Sequence, residues 1–343
     1  MYTIGAGMVY QIDFIGSIYA NNFYDYIIPQ MGDCIRNHYD KELIFNFIDL
    51  EFLSPNIVPN LLNVADLYKR FTNGRAITLQ LSWNPKLLSY LYSVHFFYHA
   101  DNLNLFRYNR EMLGGFDSYS TKENCNLIFS GVNSSEDEIM RKVEELMRSK
   151  AIYRKMEKDY KEDCENLETI FFQLIHNAND VDRGNSNAYG LFQINKYETG
   201  SVAYISICDG GGGISYTLNR KFQKNKVIPF FVKNRNTTTF YYILEALYWR
   251  RINYSPLIHG LYNVSKLVLR KGGKIGIHSN DMHVLFPKNF RDTFESIARI
   301  IERKEELDQE SVNTLNAFAR RNTLTRKYEG VHIDIEIPIG ERK

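Results

Sequence analysis

Residues 167–181 read LETIFFQLIHNANDV, and residues 205–214 read ISICDGGGGI. In the first, Ile170, Leu174 and Ala178 recur every fourth position, and Phe171 and Ile175 widen the stripe into a face suited to burial against a sheet. Gln173, Asn177 and Asp180 follow i, i+4, i+7 spacing, so they share a second face and point in one direction. In the other stretch Ile205 and Ile207 alternate as in a strand, Asp209 ends it, and four glycines follow. Ordering four glycines costs much backbone entropy, which points to close backbone approach, with a ligand as the expected neighbour.

These residues resemble a known family. Asn177–Asp180 (NAND) is similar to the N box of the GHKL ATPases, which include gyrase, histidine kinases and mismatch-repair ATPases. Residues 209–213 (DGGGG) fit their D-x-G-x-G box. HGLYNVSKLVLRKGGKI (259–275) resembles the glycine box with its helix, and EGVHIDIEIPI (329–339) the closing strand. The resemblance implies a Bergerat-type α/β sandwich over 164–343, with a lid at about 215–258 and a helical insertion at about 289–322.

The whole chain bounds this expectation. Its 343 residues suit two domains, and 44% hydrophobic with 24% charged residues is ordinary globular material. A net charge of +2 gives no general attraction for nucleic acid, which is not expected as a partner. Cys34, Cys125, Cys164 and Cys208 are scattered without C-x-x-C spacing, as free thiols in a reducing compartment would be. With no signal-peptide pattern and no membrane-length apolar run, the expected location is the cytoplasm.

From residue 1 to about 115 strand-like and helix-like runs alternate. Strands are predicted at 8–16, 42–50 and 76–81, and helices at 20–36, from Pro55 to about Arg70, and at 84–101. Such alternation implies parallel strands with helices packed on the sheet. IFNFIDLEFLSPNIVPNLL (44–62) resembles the STAS domain of bacterial anti-anti-sigma proteins, whose loop serine is phosphorylated in that family. Here the loop is Ser54-Pro55-Asn56, with Pro55 where the acceptor serine stands, so Ser54 is read as a helix cap. Residues 116–163 are expected to be a linker and a connecting helix capped at Ser134 or Ser135. His95 and His99 have metal-pair spacing, yet neighbouring Phe96, Phe97 and Tyr98 favour core packing.

The GHKL resemblance implies ATP and Mg2+ as cofactors, with Asn177 as magnesium ligand, Asp209 reading the adenine amino group, and Asp180 ordering the site. It also implies that Gly211 and Gly213 give backbone access, and that Gly260 and Leu261 open a helix towards phosphate. Gln173 occupies the family's catalytic glutamate position and cannot accept a proton from water. Ile258 stands where a first glycine would, and Val331 where a threonine is frequent. The implied function is an ATP-dependent regulatory or signalling switch acting on a protein partner through the lid. Two alternatives stay open: a serine/threonine kinase of anti-sigma type, and a slow ATPase clamp forming a homodimer.

Overall fold

The computed structural model describes residues 9–114, 126–131, 134–148, 161–179, 186–198, 200–225, 229–232, 238–253, 260–318 and 328–339. The fold is mixed α/β, with a four-stranded and a two-stranded parallel sheet and a six-stranded antiparallel sheet among the described residues.

In the first half, strands β1 (Val9–Asp13), β3 (Glu42–Asn46), β5 (Ile77–Gln80) and β6 (Phe106–Arg107) form a parallel sheet in chain order, and β2 (Gly16–Ile18) pairs with β4 (Leu50–Leu53) alongside. Right-handed crossovers between sequential parallel strands put the connecting helices on one face. Those helices are α1 (Ile28–Asn37), α2 (Ile57–Phe71), α3 (Pro85–Ser93) and α4 (Phe96–Asn102).

Three local expectations are corrected. The first helix, in which Pro29 and Gly32 suggest a disturbance, is instead irregular ahead of Pro29, in a π-helical turn at Phe23–Ile27; Pro29 falls in the first turn of α1, where its missing N–H is harmless. Helix α2 starts at Ile57 rather than Pro55. Its N-cap is Asn56, and Ser54 contributes its carbonyl to the Ile57 N–H instead of a side-chain cap. The predicted helix 84–101 breaks at His95, which adopts a left-handed φ of 63°, so the two histidines do not share one continuous helix face.

The second half contains α5 (Glu136–Arg148), α6 (Lys161–Ala178), α7 (Gly213–Asn225), α8 (Thr239–Asn253), α9 (Leu261–Arg270), α10 (Arg291–Glu302) and α11 (Gln309–Phe318). Its sheet runs β11 (Met282–Phe286), β10 (Lys274–Asn280), β12 (Tyr328–Ile339), β9 (Gly200–Asp209), β8 (Ala188–Tyr197), β7 (Asn126–Ser130), antiparallel at every pairing. β7 lies inside the stretch expected to be linker, yet it pairs with β8 from Asn126↔Phe192 to Ser130↔Ala188. The apolar run LIF within a polar surround is a sheet-edge strand, and α5 packs behind it with the Glu138 N–H donating to Ser135 Oγ. Within the span expected as a lid, α8 belongs to the core, burying Phe240, Ile243, Leu244, Leu247 and Tyr248.

Alternation along the strands divides the second sheet between two neighbours. Ile205, Ile207, Val331, Ile333, Ile335, Ile275 and Ile277 face the helices of the second half. Tyr189, Leu191 and Cys208 join the core of the first half instead. The order is therefore sheet, helices, sheet, helices, with α2 between the two sheets and buried at every residue from Ile57 to Tyr68. No helix among the described residues is long and apolar enough to cross a membrane, and Cys34, Cys164 and Cys208 are buried free thiols.

The covered face of the second sheet carries polar groups. His278 and His283 stack on Tyr24 at 4.5 and 4.8 Å between centroids. His332 Nε2 lies 2.8 Å from Ser206 Oγ and 2.9 Å from Asp334 Oδ1, and its ring nitrogens lie 2.7 and 3.0 Å from Asn60 Nδ2. Burial pushes the His278 pKa down to about 3, reinforced by neighbouring His283. Burial also lowers that of His283, against the opposing pull of Asp334 and Asp25. Both rings stay neutral in the fold, whereas an unfolded histidine protonates near pH 6.5. Their contribution is thus complete above that pH and is lost as pH falls through the window down to about 3 for His278. Lowering pH from 7 to 5 should cost about 2 kcal/mol through His278 alone, read as a falling urea midpoint. His278→Phe, which keeps a ring on Tyr24, should flatten that dependence; an unchanged slope would assign the loss to other groups.

Candidate functional site

Helix α6 runs in the same direction as β9. The Phe171 ring lies 6.0 Å from that of Phe192, which pairs with Ile205, and Ile175 sits over Gly190, which pairs with Ile207. A Cβ on Gly190 would come within 2.7 Å of Ile175 Cδ1 and 2.8 Å of Ile207 Cδ1, so the glycine sets how closely the helix lies on the sheet. Asn177 and Asp209, each two residues further along, therefore emerge at the same end. Gln173, one turn before Asn177, is 3% exposed, and its Oε1 has no hydrogen-bond partner among the described residues. Asn177 is half-buried.

Asp209 closes β9 on the helical side and is 1% exposed. Its Oδ1 accepts from the Gly211 N–H at 2.9 Å, fixing the carboxylate against its own turn. Three glycines here answer to named neighbours. A Cβ on Gly330, whose φ is 104°, would lie 1.9 Å from the Asp209 carbonyl oxygen. One on Gly213, with φ 83°, would meet Asn280 Oδ1 at 2.5 Å, and one on Gly210 would meet Arg70 Nη2 at 2.3 Å. Beyond the turn, the Ile214 N–H donates to Ser279 Oγ at 3.0 Å, anchoring the start of α7 to the end of β10.

Helix α9 packs antiparallel to α6. Lys271, just past the C-terminus of α9, pairs with Asp163 in the first turn of α6 at 2.5 Å. The N-terminus of α9 therefore lies towards the Asn177 end. Gly260 is its N-cap, with extended backbone, no side-chain cap and no heavy atom within 4 Å of an added Cβ. Such an uncapped N-terminus leaves backbone N–H donors and a positive dipole end directed outwards.

Gln173, Asn177, Asp209, Gly211, Gly213, Gly260 and Leu261 thus gather at one end of the helical layer. Asp180 and Ile258 lie outside the described residues. Val331 pairs with Asp209 across the sheet and is buried on the same face. Inside the span expected as a lid, Glu245 is fully buried and accepts from the Phe230 and Phe231 N–H groups, tying the segment between α7 and α8 to the core. No group of three or more His, Cys, Asp or Glu suited to a metal occurs among the described residues.

Two residues that touch this site escaped the sequence reading. Asn63 Nδ2 donates to the Asp209 carbonyl at 3.2 Å, and Arg70 Nη2 to the Gly210 carbonyl at 2.9 Å. The signal was present as Asn56, Asn60, Asn63 and Arg70 at i, i+4, i+7 and i+14 of a largely apolar helix.

No family model, curated protein or solved structure matches this chain.

The glycines separate by test. Gly330→Ala places a methyl group into the Asp209 carbonyl at a left-handed φ and should cost more than about 3 kcal/mol. Gly260→Ala meets open space and should cost less than about 1 kcal/mol. Denaturant midpoints of the two variants check both.

Proposed function

We propose that this chain binds ATP with Mg2+ at the end of the helical layer, as a regulatory module with slow turnover. In this reading the second half is a GHKL-type domain and the first half a STAS-like domain. The observation that carries it is the convergence of Asn177, Asp209 and the uncapped α9 N-terminus, which come from three separate stretches. Asp209 is a buried acceptor suited to an exocyclic amine, and the start of α9 is suited to phosphate.

The residues fit magnesium carried by a triphosphate. Asn177 offers one hard amide oxygen, and the remaining ligands come from phosphate and water, as is usual for this ion. When bound, the ion neutralises phosphate charge. A carboxylate at position 173 would serve as base towards water; Gln173 cannot, although its buried and unpartnered Oε1 can accept a hydrogen bond. The site therefore favours holding nucleotide over hydrolysing it. Because α8 is core, nucleotide-dependent change would act through contacts of the Asp209 turn with the first half rather than through a swinging helix.

Millimolar ATP with magnesium should raise the unfolding temperature. At ligand a hundredfold above its Kd the stabilisation is about 2.7 kcal/mol. Asp209→Asn and Asn177→Ala should each reduce the shift, and a wild-type protein that shows none would refute the site.

Turnover gives a second check. Wild-type phosphate release at saturating ATP should be slow, and Gln173→Glu should raise it by about tenfold or more, since general-base catalysis contributes about 10²–10⁴-fold. Brisk wild-type release unaffected at this position would favour an ATPase using another base. Label transfer to a co-purified protein would favour a kinase.

A further inference from the structure

We propose that Asn63 and Arg70, both from the first half of the chain, are positioning residues for the nucleotide-reading turn at Asp209–Gly213. The inference rests on the nucleotide reading above and adds the route by which the first domain sets affinity.

The turn has few ways to hold its shape. Asp209 is the last paired residue of β9, opposite Val331 on one side and Ala188 on the other, and Gly210 lies beyond that pairing, where an unheld peptide could rotate. Helix α2 takes the carbonyls of both: Asn63 holds that of Asp209 at 3.2 Å and Arg70 that of Gly210 at 2.9 Å. The Gly211 N–H that follows is the group bonded to Asp209 Oδ1, so peptide orientation and carboxylate orientation are coupled through adjacent atoms. Rotation of the 210–211 peptide would release both the Arg70 contact and this carboxylate anchor.

The approach is built for contact. Gly210 lacks the Cβ that would come within 2.3 Å of Arg70 Nη2 and 3.1 Å of both Asn63 Oδ1 and Leu67 Cδ2. The glycine between Asp209 and Gly211 is thus accounted for by the helix. Asn63 is 1% exposed, in a place where an apolar side chain would leave the Asp209 carbonyl without this donor. Arg70 is largely exposed and grips the turn only with its tip.

Neither residue reaches the ligand, so the expected signature is altered affinity with preserved folding. Asn63→Leu, similar in volume but without the donor, should weaken ATP–Mg2+ binding by roughly tenfold, the scale of one well-placed hydrogen bond. Arg70→Ala should weaken it by roughly threefold, its contact being exposed, and Arg70→Lys should recover part of that through a single donor. Asn60→Leu removes the contact with His332 on the same helix face but touches no atom of the turn, so it controls for interface damage. It should lower the unfolding midpoint while leaving Kd within about twofold.

The experiment is calorimetric titration of the full chain with ATP–Mg2+, alongside amide hydrogen exchange over 209–214 without nucleotide. Weaker binding and faster exchange in Asn63→Leu and Arg70→Ala, both absent from Asn60→Leu, support the assignment. Binding by the wild type with both variants within about twofold of it overturns the assignment and leaves the nucleotide site standing. A wild type that does not bind overturns both.

Discussion

The structure depends on a helix, α2, whose first three turns have no exposed side. Residues Ile57–Tyr68 are buried between the parallel sheet of the first half and the antiparallel sheet of the second. Its apolar positions, among them Leu61, Val64, Ala65 and Tyr68, fill the first core. Its polar positions must find partners on the second sheet, because a buried amide without a hydrogen bond costs about 1–3 kcal/mol. Asn60 meets His332, Asn63 the Asp209 carbonyl, and Asp66 the amide of Asn187 at 3.0 Å. Asn56 contributes its carbonyl to Ser206 Oγ. These bonds add directional constraints on the register between the halves that apolar contact, being non-directional, does not supply.

Much of the second unit was legible from periodicity. The helix at 161–178 and the strand that Asp209 ends lie where the spacing of apolar residues puts them, and the closing strand lies where the family resemblance puts it. The polar face of β12 was legible only in form. His332 and Asp334 alternate with Ile333 and Ile335, the pattern of a strand with one face in water, yet they are 2% and 8% exposed. Sequence alternation marks which residues share a face but not what covers it. The strand Asn126–Ser130 was missed for a related reason. An edge strand of five residues inside a polar stretch has too little periodicity to stand out, and its pairing with β8 is non-local.

The candidate site was legible in its residue types and less so in its causes. Four glycines after Asp209 suggested a ligand, but the neighbours of Gly210 and Gly213 are Arg70 and Asn280, both from the protein itself. Packing therefore explains part of the glycine cluster, and the weight of the nucleotide reading moves to Asp209, Asn177 and the α9 N-terminus. The most demanding glycine was Gly330, over a hundred residues away in sequence and 1.9 Å from the Asp209 carbonyl if given a Cβ. Such a requirement comes from two strands meeting at their ends, and no local pattern carries it.

The two halves share more than a border. Tyr189, Leu191 and Cys208, on strands of the second sheet, belong to the core of the first half, while Ile205 and Ile207 of the same strand β9 belong to the other core. One strand thus reports to both cores through alternate residues and ends in Asp209. Any change that shifts α2 on the sheet acts on Ser206 and Cys208, then on the Asp209 and Gly210 carbonyls, through contacts in unbroken sequence. Coupling by this route needs no moving lid; it needs only that the helix and the turn cannot relax independently, and their shared hydrogen bonds supply that constraint.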